Sequence, residues 1–520
     1  MRPGPCEHPY RRIADVAGCP DRLKPFVLLT AILGTSLSYI DGTVVTVALS
    51  AIRADLDATL ADMQWVINSY TLFLSALILV AGGAGDAYGH RRIFNAGIAT
   101  FALASFACGF AGTPSQLIAS RAVQGIGGAM MVPASLALIT SNFPKSERGR
   151  AIGTWAAASG VAAALGPILG GWIIDVADWR VIFLINLPIA AIAIAVSTLW
   201  VPETVTPGAT QRMDWVGAAL ACLGLAGIAL ALTDAAEGGL DESVFWTGAI
   251  GVALMAMFLA YESKVERPML SLALFRSRVF SAANALTLML YFALSGLLFF
   301  LPITLIEAHG FRAVLAGAVF LPFTVVMAAL SNWSGRLTDR RGLRLPLTVG
   351  PAISGVGMLM LIPGVWSGEI WLGIVPAMVV LGAGMGLTVA PLSAGVMNSV
   401  SEDNAGIASG VNNAVSRAAS LFAVAALGIV VVGAFSWSLT AAVGEAGAGL
   451  AAALDELGGL AFGRTPDISG LSPGEGGAVL STYRRGILVA FSSVSLIAAL
   501  FAFASAALAW LTMPTAPGGE

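Results

Sequence analysis

The chain has 520 residues and a formal net charge of −3 at pH 7. Hydrophobic residues make up 57% of it and charged residues only 11%, whereas soluble globular proteins carry about 25% charged residues. This composition excludes an ordinary soluble domain and gives no sign of a nucleic-acid partner, and it predicts an all-α polytopic membrane protein.

Apolar runs long enough to cross a bilayer recur along the whole chain. A helix spans the hydrocarbon core in about 20 residues because each residue rises about 1.5 Å. Fourteen runs have this length. They cover residues 26–49, 65–84, 93–111, 117–140, 151–174, 181–201, 215–233, 244–261, 279–305, 313–331, 346–363, 370–391, 407–435 and 485–511. The Gly- and Ala-rich stretch 436–482 is predicted to be a long external loop with room for a short amphipathic helix.

Basic residues set the predicted orientation, because Lys and Arg are retained on the cytoplasmic side of a membrane. With the N-terminus inside, nineteen of the 27 Lys and Arg residues fall in cytoplasmic segments, six fall in external segments and two lie within runs. We therefore predict a multi-pass protein of the cytoplasmic (inner or plasma) membrane with both termini in the cytoplasm.

One polar turn occurs twice in the sequence. It follows the second run and recurs after the tenth run at a constant offset of 253 residues. The two copies, with their arginines, comprise Gly82, Asp86, Gly89, Arg91 and Arg92, and then Gly335, Asp339, Arg340, Arg341 and Gly342. Glycines allow a tight reversal, and an aspartate can accept hydrogen bonds from the start of a neighbouring helix. Such a cluster can hold the cytoplasmic side of the protein closed, or it can be a connector whose arginines only fix the topology.

The duplication predicts two related halves, an architecture common among secondary transporters. Eight runs separate the two copies, whereas two plain six-helix halves in tandem would give six. Two helices are therefore inserted between six-helix bundles. The predicted organisation is a cytoplasmic tail (1–24), an N-terminal bundle (25–201), a linker with the two extra helices (202–278), a C-terminal bundle (279–511) and a second cytoplasmic tail (512–520).

Asp41 interrupts the first apolar run. A carboxylate at the centre of a span costs about 2.5 to 3.5 kcal/mol on insertion scales, so a cavity, a partner or a proton must compensate. Counting about 1.5 Å per residue places Asp41 roughly 8 to 12 Å, and Arg121 about 6 Å, below the outer boundary, so the two side chains can meet. A buried carboxyl beside a cation can exchange a proton when a substrate or a conformational change shifts the balance. The alternative is that Asp41 caps a helix irregularity while Arg121 extends outward to water.

The fifth run is rich in small residues and contains one proline. These residues are Gly160, Gly166, Pro167, Gly170 and Gly171. Glycines at this density let helices approach closely, and a proline within a helix bends it. The pattern is explained by close packing alone, and it is also what an interface between rocking halves requires.

Polar and adaptable side chains in other runs are candidates for a substrate cavity, although interhelical hydrogen bonds are an equal alternative for the amides. The candidates are Asn68, Gln124, Met130, Asn284, Asn412 and Asn413. Arg417 lies in the middle of the membrane if the thirteenth span begins at residue 407, and at the inner interface if it begins at residue 418.

The sequence carries no pattern typical of an enzyme or an ATP-driven pump. Its only lysines are Lys24, Lys145 and Lys264, and none of them completes a glycine-rich phosphate loop. The three histidines are scattered and suggest neither a zinc nor a haem site, and no nucleophile motif has a plausible base. We therefore expect a transporter that uses no cofactor or metal and takes its energy from a proton gradient.

Four of these segments resemble motifs of the major facilitator superfamily. Residues 82–92 resemble its signature turn, 117–129 its fourth-helix motif and 160–171 its antiporter motif, and 40–49 resemble the first-helix motif of the fourteen-span drug:proton antiporters. The resemblance implies a major facilitator fold and multidrug efflux, meaning export of amphipathic, often cationic compounds in exchange for protons. It also implies that Asp41 and Arg121 form the proton-coupling pair, and that Asp86 with its arginines forms the inner gate.

Several alternatives remain open from the sequence. No acidic residue lies deep in the tenth or thirteenth run, where some members of this family carry one, so monocationic, neutral and anionic substrates are all compatible with it. The protein can also be a dedicated exporter of one metabolite, a nutrient symporter, or a receptor or scaffold that does not transport. The expected partners are a small-molecule substrate and the lipid bilayer, and nothing indicates an accessory periplasmic protein.

Overall fold

A computed structural model describes residues 11–12, 22–205, 214–239, 241–265, 268–400, 405–446, 448–456 and 461–515. Within this part, fourteen helices are long and apolar enough to cross a membrane, which confirms the predicted number of spans. Most helices extend several residues beyond the apolar runs, because capping and interfacial residues continue the helix past the hydrocarbon core.

The first half comprises seven helices that make six spans. They are α1 (Lys24–Leu56), α2 (Leu60–Tyr88), α3 (His90–Gly109), α4 (Pro114–Asn142), α5 (Lys145–Val176), α6 (Val181–Leu184) and α7 (Asn186–Trp200). The sixth span joins α6 and α7. A two-residue strand β1 (Arg11–Arg12) pairs in parallel with β2 (Thr204–Val205), just after α7.

The inserted pair and the second half follow. They are α8 (Trp215–Gly238), α9 (Glu242–Glu262), α10 (Arg278–His309), α11 (Ala313–Ala318), α12 (Phe320–Arg341), α13 (Arg344–Ser367), α14 (Val375–Asn398), α15 (Ala405–Ala446), α16 (Ala448–Glu456) and α17 (Pro473–Thr512). A 3₁₀ turn (Leu272–Arg276) precedes α10, and a π-helical turn (Ile370–Ile374) leads into α14. Helices α11 and α12 together make the tenth span.

The predicted loop at 436–482 is wrong in extent, because most of it is helical. Helix α15 continues to Ala446, α16 adds a further short helix, and α17 begins at Pro473. The Ser472 side chain accepts a hydrogen bond from the Glu475 backbone while the Glu475 carboxylate caps the Ser472 backbone, a capping box that fixes where α17 begins. Alanine has the highest helix propensity, and the alanines of α16 favour helix there.

The helices pack as two bundles with an added hairpin. In the first half α1 packs against α5, and α4 packs against both α2 and α3. In the second half α10 and α13 pack against α17, and α14 packs against α12 and α13. The inserted helices α8 and α9 pack against each other, and α8 also contacts α2 and α15, one helix from each half. The fold is therefore two six-helix bundles plus two inserted helices, as predicted.

The molecule has two ends, which we name by the chain. The terminal face carries the start of α1, the α2–α3 turn and the end of α17, and the far face lies at the opposite end. Polar contacts between the two halves, in the part of the chain that the structure describes, cluster toward the far face. They join Arg53 to the Phe462 carbonyl, Gln64 to the Val424 carbonyl, Arg464 to Asp57, and Asp175 to Arg312 and the backbone of Ala313 and Val314. The halves are thus joined at the far face.

Candidate functional site

An ion pair between α1 and α4 lies in the interior of the first half. The Arg121 Nη1 group donates a hydrogen bond to Asp41 Oδ2, and neither side chain has any exposed surface. The depth count from the sequence thus places these two residues together correctly. A buried ion pair is stable only when further hydrogen bonds satisfy both charged groups.

Three polar side chains complete the surroundings of the Asp41 carboxylate. Gln124 Nε2 and Asn186 Nδ2 donate to Asp41 Oδ1 at 2.8 and 3.2 Å, and Gln124 Oε1 accepts from Arg121 Nη1 at 2.7 Å. Ser105 Oγ accepts from both amides, at 3.3 and 3.0 Å. Both carboxylate oxygens therefore accept hydrogen bonds, so the ionised form is well satisfied in this arrangement. Ser105 and Asn186 are absent from the sequence prediction, although Asn186 is conspicuous as an amide at the start of an apolar helix.

The guanidinium of Arg121 has a second side that faces away from Asp41. Its Nε donates to the Val66 carbonyl at 3.1 Å, and its carbon atom lies 4.4 Å from the centre of the Tyr70 ring. Its Nη2 is buried and has no hydrogen-bond partner among the described residues. Arg121 lines the central cavity described next, whereas Asp41 is not among the lining residues. Arg121 therefore lies between the cavity and Asp41, although its side chain has no exposed surface in this arrangement.

A cavity of about 590 Å³ lies between the halves. Its lining comes from α1, α2, α4 and α5 on one side and from α10, α12, α14 and α15 on the other. The aromatic lining residues are Tyr39, Tyr70, Trp155, Phe299, Phe320 and Phe323, the hydroxyl residues are Ser38, Thr43, Thr46, Thr71, Ser159, Ser295, Thr324 and Ser420, and the charged residues are Arg121 and Arg417. Arg417 is the thirteenth residue of α15, and its side chain lines the cavity.

None of the six side chains predicted to line a substrate cavity is among the described lining residues of this one. Those six are Asn68, Gln124, Met130, Asn284, Asn412 and Asn413. Gln124 belongs to the Asp41 network, and Asn412 Nδ2 donates to Asn284 Oδ1 at 3.2 Å. Asn68 is fully buried, and its amide has no hydrogen-bond partner in the described chain. For Gln124 and the Asn284–Asn412 pair the physical reason is that an amide within a span is well satisfied against a neighbouring helix.

The glycines of α5 contact two different partners. A Cβ atom at Gly166 or Gly170 would lie 3.1 or 3.0 Å from carbonyl oxygens of α1, which packs against this surface. A Cβ atom at Gly171 would lie 2.5 Å from backbone atoms of α11, in the other half. Gly160 has no neighbouring atom within 4 Å of such a Cβ atom, and it lines the cavity together with Pro167. Helix α5 thus packs against α1 in its own half and against α11 in the other half.

At the terminal face, the first polar turn is organised around Glu203, which sequence reasoning missed. Its buried carboxylate accepts a hydrogen bond from the Arg91 backbone at 3.0 Å and lies 3.7 and 3.8 Å from the Nε atoms of Arg91 and Arg92. Gly89 has φ +107°, and a Cβ atom there would lie 2.7 Å from the Glu203 carboxyl carbon. The signal available in the sequence was an acid directly after the sixth span.

Asp86, the predicted centre of the gate, is half exposed. Its Oδ1 lies 3.7 Å from Nε2 of His90 at the start of α3. Gly82 approaches α4, because a Cβ atom built on Gly82 would lie 3.9 Å from Pro133. A Cβ atom built on Gly335, its counterpart in the second copy, would have no atom within 4 Å. The two copies therefore differ in packing although they share their spacing.

The second turn resembles the first in backbone conformation. Gly342 has φ +76°, so both turns place a glycine in the left-handed region that other residues avoid. Arg340 and Arg341 are exposed at the end of α12. The side chain of Asp339 lies outside the described part of the chain.

Two six-helix halves around a central cavity, with an ion pair buried beside it, define a polytopic secondary transporter. The family model of the Major Facilitator Superfamily matches residues 31–424. The chain therefore belongs to the Major Facilitator Superfamily.

Its relatives include named resistance and export proteins. It is 33% identical over 445 residues to the probable actinorhodin transporter of Streptomyces coelicolor, covering 82% of this chain and 76% of that one. It is 31% identical to the multidrug resistance protein Stp of Mycobacterium tuberculosis, covering 79% and 76%. A bacterial homologue of the lysosomal transporter Spinster shares the fold, with a TM-score of 0.62, 16% identity and coverage of 96% of this chain and 100% of that one.

Proposed function

We propose that this protein exports small amphipathic compounds, such as drugs or toxic metabolites, across the cytoplasmic membrane in exchange for protons. The observation that carries the proposal is the Asp41–Arg121 pair, buried directly behind a wall of the central cavity. Relatives named for antibiotic resistance and export support the outward direction of transport.

The terminal face is the cytoplasmic face in this proposal, and both termini are cytoplasmic. The excess of Lys and Arg in the segments of that face supports this orientation. Because the halves are joined by polar contacts at the far face, the structure then corresponds to a state that is closed toward the exterior. Alternating access requires the opposite state, in which those contacts separate and the terminal face closes.

Proton and substrate act on the same ion pair. When Asp41 is ionised it holds Arg121 through a charge-assisted hydrogen bond, and when Asp41 is protonated that bond weakens and Arg121 becomes free to move toward the cavity. A substrate that contacts Arg121 therefore changes how readily Asp41 releases its proton. One proton moving inward down a potential of 100 mV releases about 2.3 kcal/mol, which is the energy available for export.

The decisive experiment uses the full-length protein in liposomes loaded with a fluorescent amphipathic compound. A proton gradient with the acidic side outside the vesicles should accelerate the release of the compound from vesicles that contain the wild-type protein. The Asp41→Asn variant should still exchange the compound in counterflow, but its exchange should no longer respond to the gradient. Asp178→Asn, which changes an exposed acid at the far face, is the matched control and should behave like wild type.

Undiminished gradient-driven release by Asp41→Asn would refute proton coupling through this residue. Uptake of the compound with the proton gradient, rather than against it, would identify a symporter. Absence of counterflow in the wild-type protein for every compound tested would favour a receptor or a scaffold.

A further inference from the structure

Arg417 is a cation inside the cavity that the transport mechanism above does not use. Its Nε atom is buried and lacks a hydrogen-bond partner, and its guanidinium makes no ion pair with any described residue. Tyr70 lines the same cavity. An unpaired charge inside a membrane protein is unfavourable, so such a residue points to a ligand or a function.

The lining of the cavity offers Arg417 no counter-charge. The described lining residues include no aspartate or glutamate, and the other cation, Arg121, is already paired with Asp41. Asp41 itself lies behind that lining, and its oxygens accept hydrogen bonds from Arg121, Gln124 and Asn186. A positively charged solute would thus meet the Arg417 guanidinium and no free acid, whereas a negatively charged solute would neutralise that cation.

The groups around Arg417 also fit an anion. Ser420 lies three residues further along α15, so the two side chains project from neighbouring positions of one helix face. The Ser420 hydroxyl lies 2.6 Å from that of Ser295 on α10, and both serines line the cavity. Phe299 and Tyr39 supply aromatic surface in the same cavity. A planar guanidinium can hold a carboxylate through two parallel hydrogen bonds.

We propose that Arg417 is the recognition site for the carboxylate of the exported compound, and that the substrates are amphipathic aromatic carboxylic acids. The proposal rests on the proposed export function and names its substrate class. It selects anionic substrates from the monocationic, neutral and anionic compounds that the sequence left open.

The test is a binding measurement on the purified full-length protein with three probes of nearly equal shape: anthracene-9-carboxylate, 9-anthracenemethanol and 9-anthracenemethylammonium. The wild-type protein should bind the carboxylate at least about 10-fold more tightly than the alcohol, and the ammonium most weakly. Arg417→Gln should lower the affinity for the carboxylate by about 10- to 100-fold and leave the affinity for the alcohol unchanged. Arg417→Lys should restore part of the preference.

Unchanged binding of the alcohol shows that Arg417→Gln is folded, and Arg484→Gln, which replaces an exposed arginine of α17, is the matched control. Equal affinity for the three probes, preference for the ammonium, or an intact carboxylate preference in Arg417→Gln would each overturn the inference. Because binding is measured without a gradient, loss of proton coupling in the liposome experiment would refute the proposed function and leave this result standing.

Discussion

Asp175 near the end of α5 accepts a hydrogen bond from the backbone nitrogen of Ala313, at 3.2 Å, so a carboxylate of one half caps the start of α11 in the other half. Its second oxygen accepts from the Val314 backbone, also at 3.2 Å, and Arg312 Nε lies 3.4 Å away. The Asp175 side chain is 12% exposed, whereas that of Arg312 is 72% exposed. The backbone contacts, rather than the ion pair, therefore dominate this far-face connection.

Asp175→Ala should shift the protein toward a state that is open at the far face. Hydrogen bonds to a charged group contribute about 1.5 to 3 kcal/mol, which corresponds to a shift of roughly 10- to 100-fold in the equilibrium between closed and open states. Spin labels at positions 178 and 369, exposed on opposite halves, would report the change as a longer distance in a cysteine-free background. Arg312→Ala should change the distance distribution little, because an exposed ion pair contributes about 0 to 1 kcal/mol. Equal shifts in the two variants would contradict the conclusion that the backbone contacts of Asp175, rather than its ion pair with Arg312, hold the far face closed.

Asp41→Asn should make the protein less stable as well as uncoupled. It leaves the Arg121 guanidinium buried without a counter-charge, and breaking a buried pair in this way costs about 3 to 5 kcal/mol. Thermal unfolding in detergent should show a lower midpoint for Asp41→Asn, and the double variant Asp41→Asn with Arg121→Gln should recover much of the loss. Asp55→Asn is the control on the same helix, since the Asp55 side chain is 44% exposed. A double variant no more stable than the single one would show that the two charges do not depend on each other.

The number of spans and the Asp41–Arg121 pair could be predicted because both follow from counting along helices. Span length depends on the rise per residue, and the depth of a side chain depends on its distance from the end of its helix. Glu203 and Asn186 could not be found in this way. Which side chains meet at a given depth depends on how each helix is rotated about its axis, and a nearly uniform apolar sequence does not specify that rotation.

The cavity lining was missed for a related reason. Its polar residues are mainly serines and threonines, whose hydroxyls can bond to their own helix, as Thr43 does to the Tyr39 carbonyl at 2.9 Å. Such residues are acceptable in apolar helices and stand out little in a sequence. Asn284 and Asn412 stand out more strongly, yet they bind each other away from the cavity.

Glu203→Gln should destabilise the terminal face more than the loss of either arginine. The Glu203 carboxylate is buried and faces the Arg91 backbone N–H and two guanidinium groups. The side-chain NH2 group of glutamine cannot accept hydrogen bonds, so it would leave the Arg91 backbone N–H or a guanidinium group without an acceptor, at a cost of about 1 to 3 kcal/mol. The thermal midpoint and the initial rate of export should both fall. Arg92→Gln is the comparison, because the Arg92 side chain is 57% exposed and its removal should cost less than about 1 kcal/mol. A larger loss in Arg92→Gln than in Glu203→Gln would show that the buried acid is not the centre of this cluster.

Gly171→Ala should open the far face, whereas Gly160→Ala on the same helix should not. The new methyl carbon at position 171 would lie 2.5 Å from backbone atoms of α11, and backbone cannot yield as a flexible side chain does. Relief requires α5 and α11 to separate, and overpacking of this kind costs about 1 to 3 kcal/mol. At position 160 a methyl group meets no atom within 4 Å, so replacing glycine within a helix should stabilise it by about 0.5 to 1 kcal/mol. The spin labels at positions 178 and 369 should therefore move apart in Gly171→Ala and stay in place in Gly160→Ala. If neither variant changed the distance, the close approach of Gly171 to α11 would not be what holds the far face closed.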